Sequence, residues 1–119
     1  MNGGGFRITY QDQLTYNIWL AQEAHARDLS IGLKNDVDQV RDLVSYFDWA
    51  INEQCWEYNE CNTLQPFITA NKAVFNCEYK AHNNCLKAVQ SKLSSILAPL
   101  ELNGKNMKMC NGQGQLVSF

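Results

Sequence analysis

Glu53 closes a short apolar run, Trp49-Ala50-Ile51, and stands among Asn52, Gln54 and Cys55. An apolar strand that stops abruptly on an amide, a carboxylate, a second amide and a thiol has the form of a barrel strand at its carboxyl end. There the backbone is rigid, and the loops leading into the next helices converge on one mouth. Glu53 is therefore the candidate catalytic acid, and a surface or core-paired glutamate is the plain alternative. Two further places repeat the pattern. Ser30 to Leu33 reads as a short buried strand with Lys34, Asn35 and Asp36 at its carboxyl end, and Lys72 to Tyr79 reads as a strand ending on Glu78 beside Tyr79.

The cysteines bear on the same region. Five of them, Cys55, Cys61, Cys77, Cys85 and Cys110, are many for 119 residues, and an odd number leaves at least one unpaired within the chain. The Cys55-x5-Cys61 spacing can close a small loop beyond the Glu53 strand, and Cys85 with Cys110 is a second candidate pair. Cys77 is then a buried free thiol. Such usage suits an oxidising compartment. A zinc grouping of Cys77, His82 and Cys85 lacks the paired C-x-x-C spacing of known sites, so no metal or other cofactor is expected.

The elements that must position these residues follow in order. Asn2-Gly3-Gly4-Gly5 is a loop without the Gly-Lys-Ser/Thr that would make it a phosphate cradle. Thr9 and Asp12 form a capping pair for a helix running to about Asp28, with Leu14, Ile18 and Ala21 on its buried face and His25 as a packing or surface residue. Asp36 opens a second helix, with Val37, Val40, Leu43, Val44 and Phe47 on one face; it is either that helix's N-cap or a substrate contact. A helical segment from Asn59 to about Ala70 is kept short or kinked by Pro66. A short helix from Asn83 to Gln90 and a last strand, Leu93 to Ala98, complete the alternation. Asn103 to Phe119, rich in Asn, Gly and Gln, reads as loop and loosely held tail.

Composition bounds the class. With 45% hydrophobic and 18% charged residues the chain is globular. A net charge of -2 without a Lys/Arg cluster argues against a nucleic-acid partner. No run is long and apolar enough for a bilayer, and residues 1–28 lack a signal-peptide pattern. Four strands alternating with helices imply α/β architecture with a parallel sheet. Four such units are half of a (β/α)8 TIM barrel, which takes about 250 residues, and alone they would leave two raw edges and an apolar inner face in water. The chain is expected to be incomplete.

Gln13-Leu14-Thr15-Tyr16-Asn17-Ile18-Trp19-Leu20, Glu23-Ala24-His25-Ala26-Arg27, Gly32-Leu33-Lys34-Asn35-Asp36, Asn52-Glu53-Gln54-Cys55 and Val74-Phe75-Asn76-Cys77-Glu78-Tyr79 together resemble glycoside hydrolase family 114 from about Phe6 to Cys110. The family's activity is endo-α-1,4-polygalactosaminidase on a TIM barrel. The resemblance implies that residues 1–110 are its carboxyl-terminal half, strands five to eight, with 111–119 a tail. It places the family's acid/base glutamate on Glu53. The family's nucleophilic aspartate, in an Asp-x-Asp-Gly-Tyr-like motif, falls upstream of Asn2. Cys77 stands where the family commonly has an aliphatic residue.

Glycoside cleavage takes two carboxyl groups, one protonating the leaving oxygen and one attacking the anomeric carbon. Glu53, enclosed by Trp49 or Trp56 and facing Glu78, is expected to hold its proton through a raised pKa. Asp36 and Glu78 would bind the ammonium groups of a galactosamine polymer, and Lys34, Asn35 and Asn52 its polar groups. Tyr79 or Trp56 would stack on a sugar face, with ordinary packing the alternative for the aromatics. The expected partners are this polysaccharide and the missing amino-terminal half-barrel, and the expected location of the full-length parent is extracellular. A non-catalytic carbohydrate-binding remnant is the competing reading.

Overall fold

The computed structural model describes residues 4–80 and 84–119. Helix α1 spans Tyr10–His25, and both halves of the anticipated capping box are made: Thr9 Oγ1 accepts from the Asp12 N–H at 3.1 Å, and the Thr9 N–H donates to Asp12 Oδ2 at 2.9 Å. Ala21 is fully buried, with Leu14 and Ile18 packed beside it. The helix ends short of Asp28, which takes a left-handed φ of 57°. Strand β1 (Gly32–Lys34) follows, then a 3-10 turn at Val37–Gln39 running into α2 (Val40–Leu43). Strand β2 is Trp49–Glu53; a 3-10 turn at Cys61–Leu64 then leads into α3 (Gln65–Thr69). Pro66 stands in the first turn of α3, where its missing N–H costs nothing. Strand β3 (Val74–Glu78), helix α4 (Cys85–Gln90) and strand β4 (Ser94–Leu97) complete the alternation, and Asn83, expected to open the last helix, lies outside the described residues.

Strands β1 to β4 are parallel and lie side by side in chain order. Consecutive order with right-handed crossovers puts the helices on one face, because each crossover turns the same way without reversing direction across the sheet. Leu33, Ala50 and Val74 point to that face and are 4%, 1% and 1% exposed, sealed by Val40, Leu43, Leu64 and Phe67. The alternate residues form the other face, where Phe75 in the middle of the sheet stays 44% exposed. Trp49 lies over Gly32 so closely that a Cβ there would meet the indole at 2.4 Å, and its ring meets Phe75 edge-on at 5.9 Å.

The carboxyl-terminal segment departs from expectation. Residues expected to be loop and tail form a hairpin, β5 (Lys108–Cys110) and β6 (Leu116–Ser118), that pairs antiparallel with β4 through Ile96 with Met109 and Leu97 with Lys108. The sheet thus has six strands, four of them parallel. Two features hold the hairpin. Cys85 and Cys110 form a disulfide to α4, and Gly114, at φ 78°, passes so near Leu86 that a Cβ would meet its Cα at 2.8 Å. Asn111 shapes the turn by accepting the N–H groups of Gln113 and Gln115 at 3.0 and 2.9 Å. Among the described residues no helix is long and apolar enough to cross a membrane.

Candidate active site

Each of the first two parallel strands leaves the sheet through a left-handed residue that is not glycine: Asn35 (φ 53°) and Asp36 (φ 46°) after β1, Gln54 (φ 64°) after β2. Such conformations cost of order 1–3 kcal/mol each and persist only where surrounding contacts hold them. Here the contacts are visible. Asn35 turns its amide toward β2, so that its Oδ1 accepts the Glu53 backbone N–H at 2.8 Å and Asn52 Nδ2 at 3.3 Å, and the Gln54 N–H donates to the Cys77 carbonyl at 2.9 Å. The carboxyl end of β2 is thereby clamped from both neighbouring strands.

Glu53 projects from this clamp onto the sheet face that carries no helices, in line with Ile51 and level with Cys77 and Ile96. Its side chain is 30% exposed. The Tyr79 hydroxyl donates to Oε1, and Lys34 Nζ lies 3.4 Å from Oε2. The Tyr79 hydrogen bond, with the Lys34 charge behind it, holds the Glu53 carboxyl below its ordinary range despite partial burial. The expectation of a raised pKa is corrected here: an open sheet face supplies too little desolvation to outweigh a donor and a cation. The same contact pushes the Tyr79 phenol far upward, and burial raises the Cys77 thiol.

Lys34, Asn35, Glu53 and Tyr79 are thus brought together. Asn52 and Glu78 are not. Both turn to the helix-facing side of the sheet, where they are 1% and 2% exposed. There they belong to a polar row that runs across the strands, since Asn52, Asn76 and Ser95 are register partners. Asn76 Nδ2 donates to Asn52 Oδ1 at 3.2 Å and to Glu78 Oε1 at 3.0 Å, and its Oδ1 accepts from Ser95 Oγ at 2.5 Å. Asn52 Oδ1 also accepts the Cys55 N–H, and Glu78 Oε1 the Trp56 N–H, each at 2.9 Å. The row therefore anchors the loop after β2 from beneath, while Glu53 lies on the other side. Asn76 and Ser95 were not anticipated, although a polar residue at matching depth in three successive apolar strands is a readable signal.

Trp56 is drawn into the core cluster by its ring and does not cover Glu53; its indole N–H is buried without a hydrogen-bond partner. Asp36 does not cap the helix that follows, because its carboxylate accepts from Asn17 Nδ2 of α1 at 3.0 Å. Burial and the neighbouring Asp38 raise its pKa. His25 bridges to Asp48 at 2.9 Å. Cys55 joins Cys61, closing the loop after β2, and Cys77 is a buried free thiol. With Cys85 in a disulfide, the zinc grouping loses a ligand, and its His82 lies outside the described residues. Two large grooves lie on the helical side, one lined by Val37, Arg41, Pro66 and Thr69 and the other by Trp56, Gln65, Lys87 and Gln90. Neither is lined by Glu53.

Consecutive parallel strands with a clamped carboxylate at the carboxyl end of one of them define a β/α unit of the kind that keeps its chemistry at its strand ends. The model of glycoside-hydrolase family GH114 matches residues 1–115, and the chain belongs to that family. It is also similar to the crystal structure of Aspergillus fumigatus Ega3 in complex with galactosamine, with a TM-score of 0.78 and 31% identity over 92% of this chain and 49% of that one. The chain spans about half the length of that protein. Among curated protein sequences none matches it.

Proposed function

We propose that this chain is the acid/base half of a retaining glycoside hydrolase acting on α-1,4-linked galactosamine polymers. The observation that carries the reading is the placement of Glu53, clamped through its own N–H at the carboxyl end of β2 and directed to the sheet face free of helices. In the completed barrel, residues 1–110 supply strands five to eight, and that face becomes the inner wall around the substrate. Glu53 protonates the glycosidic oxygen while an aspartate from the other half attacks the anomeric carbon; Glu53 then takes a proton from the water that releases the sugar. Glu78 is 2% exposed and hydrogen-bonded on the far face, so it is not the second carboxylate. The chain alone is therefore inactive. Two disulfides accord with an extracellular parent.

A second reading, carbohydrate binding without catalysis, is favoured by the same isolation of Glu53 from a second carboxylate. One experiment separates the two. The chain is assayed on a galactosamine polymer alone, then fused behind the amino-terminal half of Aspergillus fumigatus Ega3. Hydrolysis by the fusion, abolished by Glu53→Gln, is the expected result. Full hydrolysis by the Glu53→Gln fusion would refute the catalytic role, and a fusion that binds the polymer without cleaving it would favour the binding reading.

A further inference from the structure

Tyr79 and Lys34 make their contacts on the carboxylate oxygens of Glu53 itself, one on each. Lys34 comes from the end of β1, and Tyr79 directly follows β3, so the carboxyl group is held from both flanking strands. No other charged side chain contacts it among the described residues. Cys77, its register partner on β3, is kept as a neutral thiol by burial, and the next residue across, Ile96 on β4, carries no charge. Asn35 fixes the backbone of Glu53 by accepting its N–H at 2.8 Å, and its amide adds a smaller contribution than Tyr79 and Lys34 at the carboxylate.

We infer that Tyr79 and Lys34 are positioning residues that tighten their hold on Glu53 as its proton departs, which favours protonation of the leaving glycosidic oxygen. This rests on the acid/base assignment above. Before reaction Glu53 is a carboxylic acid, and its contacts with a hydroxyl and an ammonium are those of a neutral group. As its proton passes to the leaving oxygen, the C–O bond breaks and the attacking carboxylate bonds to the anomeric carbon, so that Glu53 becomes an anion. Both contacts then become charge-assisted and stronger. Interactions that are stronger in the transition state than in the ground state are the ones that accelerate a reaction. In the second step water supplies the proton that restores the acid, and its oxygen replaces the enzyme carboxylate on the sugar. Electrons and atoms balance with water as the one added reactant. The arrangement also has a consequence for pH, because an acid held this way keeps its proton only in more acidic solution than an ordinary glutamate.

The test is a carbon-13 titration of the Glu53 carboxyl in the 119-residue chain, with the signal assigned by its loss in Glu53→Gln. The midpoint is expected below that of an exposed glutamate and is expected to rise in Tyr79→Phe and in Lys34→Met, and further in the double variant. Lys34 is well exposed, at 65% of its side chain, so its replacement leaves packing intact even where loss of Tyr79 disturbs the fold. A wild-type midpoint at the ordinary glutamate value, or one that does not move upward in Lys34→Met, would overturn the inference. Because the titration needs no turnover, an active Glu53→Gln fusion would remove the acid/base role while leaving this measurement to judge the contacts separately.

Discussion

Replacing Asn76 by Ala should destabilise the chain more than any exposed polar change. Asn76 is 2% exposed, and its side chain contacts Asn52, Glu78, Ser95 and Cys55 Sγ at once. Its loss takes a charge-assisted hydrogen bond from Glu78, about 1.5–3 kcal/mol, and leaves the Ser95 hydroxyl without its acceptor, about 1 kcal/mol more. Asn52 keeps the Cys55 N–H and Glu78 keeps the Trp56 N–H, which limits the damage. The sum is about 2.5–4 kcal/mol, a large share of the roughly 5–15 kcal/mol that stabilises a domain. At about 4 °C per kcal/mol for a chain of this size, Tm should fall by about 10–16 °C. Urea unfolding followed by circular dichroism measures it, with a lowered midpoint and an unchanged slope expected. A loss under 1 kcal/mol would mean that water replaces the amide at no cost, and the row would then not be what anchors the loop after β2.

Lys72→Met removes an ammonium that donates to the carbonyls of Val44 and Phe47 at 2.6 and 2.8 Å. A loss of about 2 kcal/mol in urea unfolding is expected, and no change would show that solvent satisfies those carbonyls equally well. Replacing both Cys85 and Cys110 by Ser opens a link across 25 residues, at a cost of about 3.5 kcal/mol in the chain-entropy account. Amide exchange should then quicken first in β5 and β6, and protection equal to wild type would show that strand pairing alone holds the hairpin. Stability should fall in acid. The Asp48 carboxyl is held low by His25 and the Ile31 N–H, and that of Asp12 by Thr9. A depressed folded pKa contributes stability that is complete above the unfolded value, near pH ~4, and lost as pH falls through the folded one. Asp36, shifted upward, contributes in the opposite sense, most at low pH. A melting midpoint that stays level from pH 6 to pH 2, or one as acid-sensitive in Asp48→Asn as in wild type, would contradict the assignment to these carboxylates.

Local chemistry was legible in the chain itself. The Thr9 and Asp12 box, the four apolar strands, the shortness of the helix that holds Pro66 and the short Cys55 to Cys61 loop all depend on residues a few positions apart, so spacing was enough to read them. Glu53 was found for the same reason, as the residue on which an apolar run ends. The two sides of the sheet were not separable that way. Glu53 and Glu78 each end a strand, but in the register between β2 and β3 Glu53 lies beside Cys77, and Glu78 falls one residue later on the opposite face. A single step of register reverses which face a side chain takes, and register is decided by how strands dock. The pKa of Glu53 is tertiary in the same sense, being set by Lys34 and Tyr79 from neighbouring strands.

The carboxyl-terminal hairpin marks the same division. Its Asn, Gly and Gln content resembles loop, and what orders it is a disulfide to α4, a close approach to Leu86 and the edge of β4, each of them distant in the chain. By itself the sequence determined the elements, their alternation and the carboxylate on which an apolar strand ends, because these follow from local spacing and polarity. Only the tertiary structure decided which polar residues surround that carboxylate and which lie buried behind it, because that depends on register and on contacts between segments far apart in the chain.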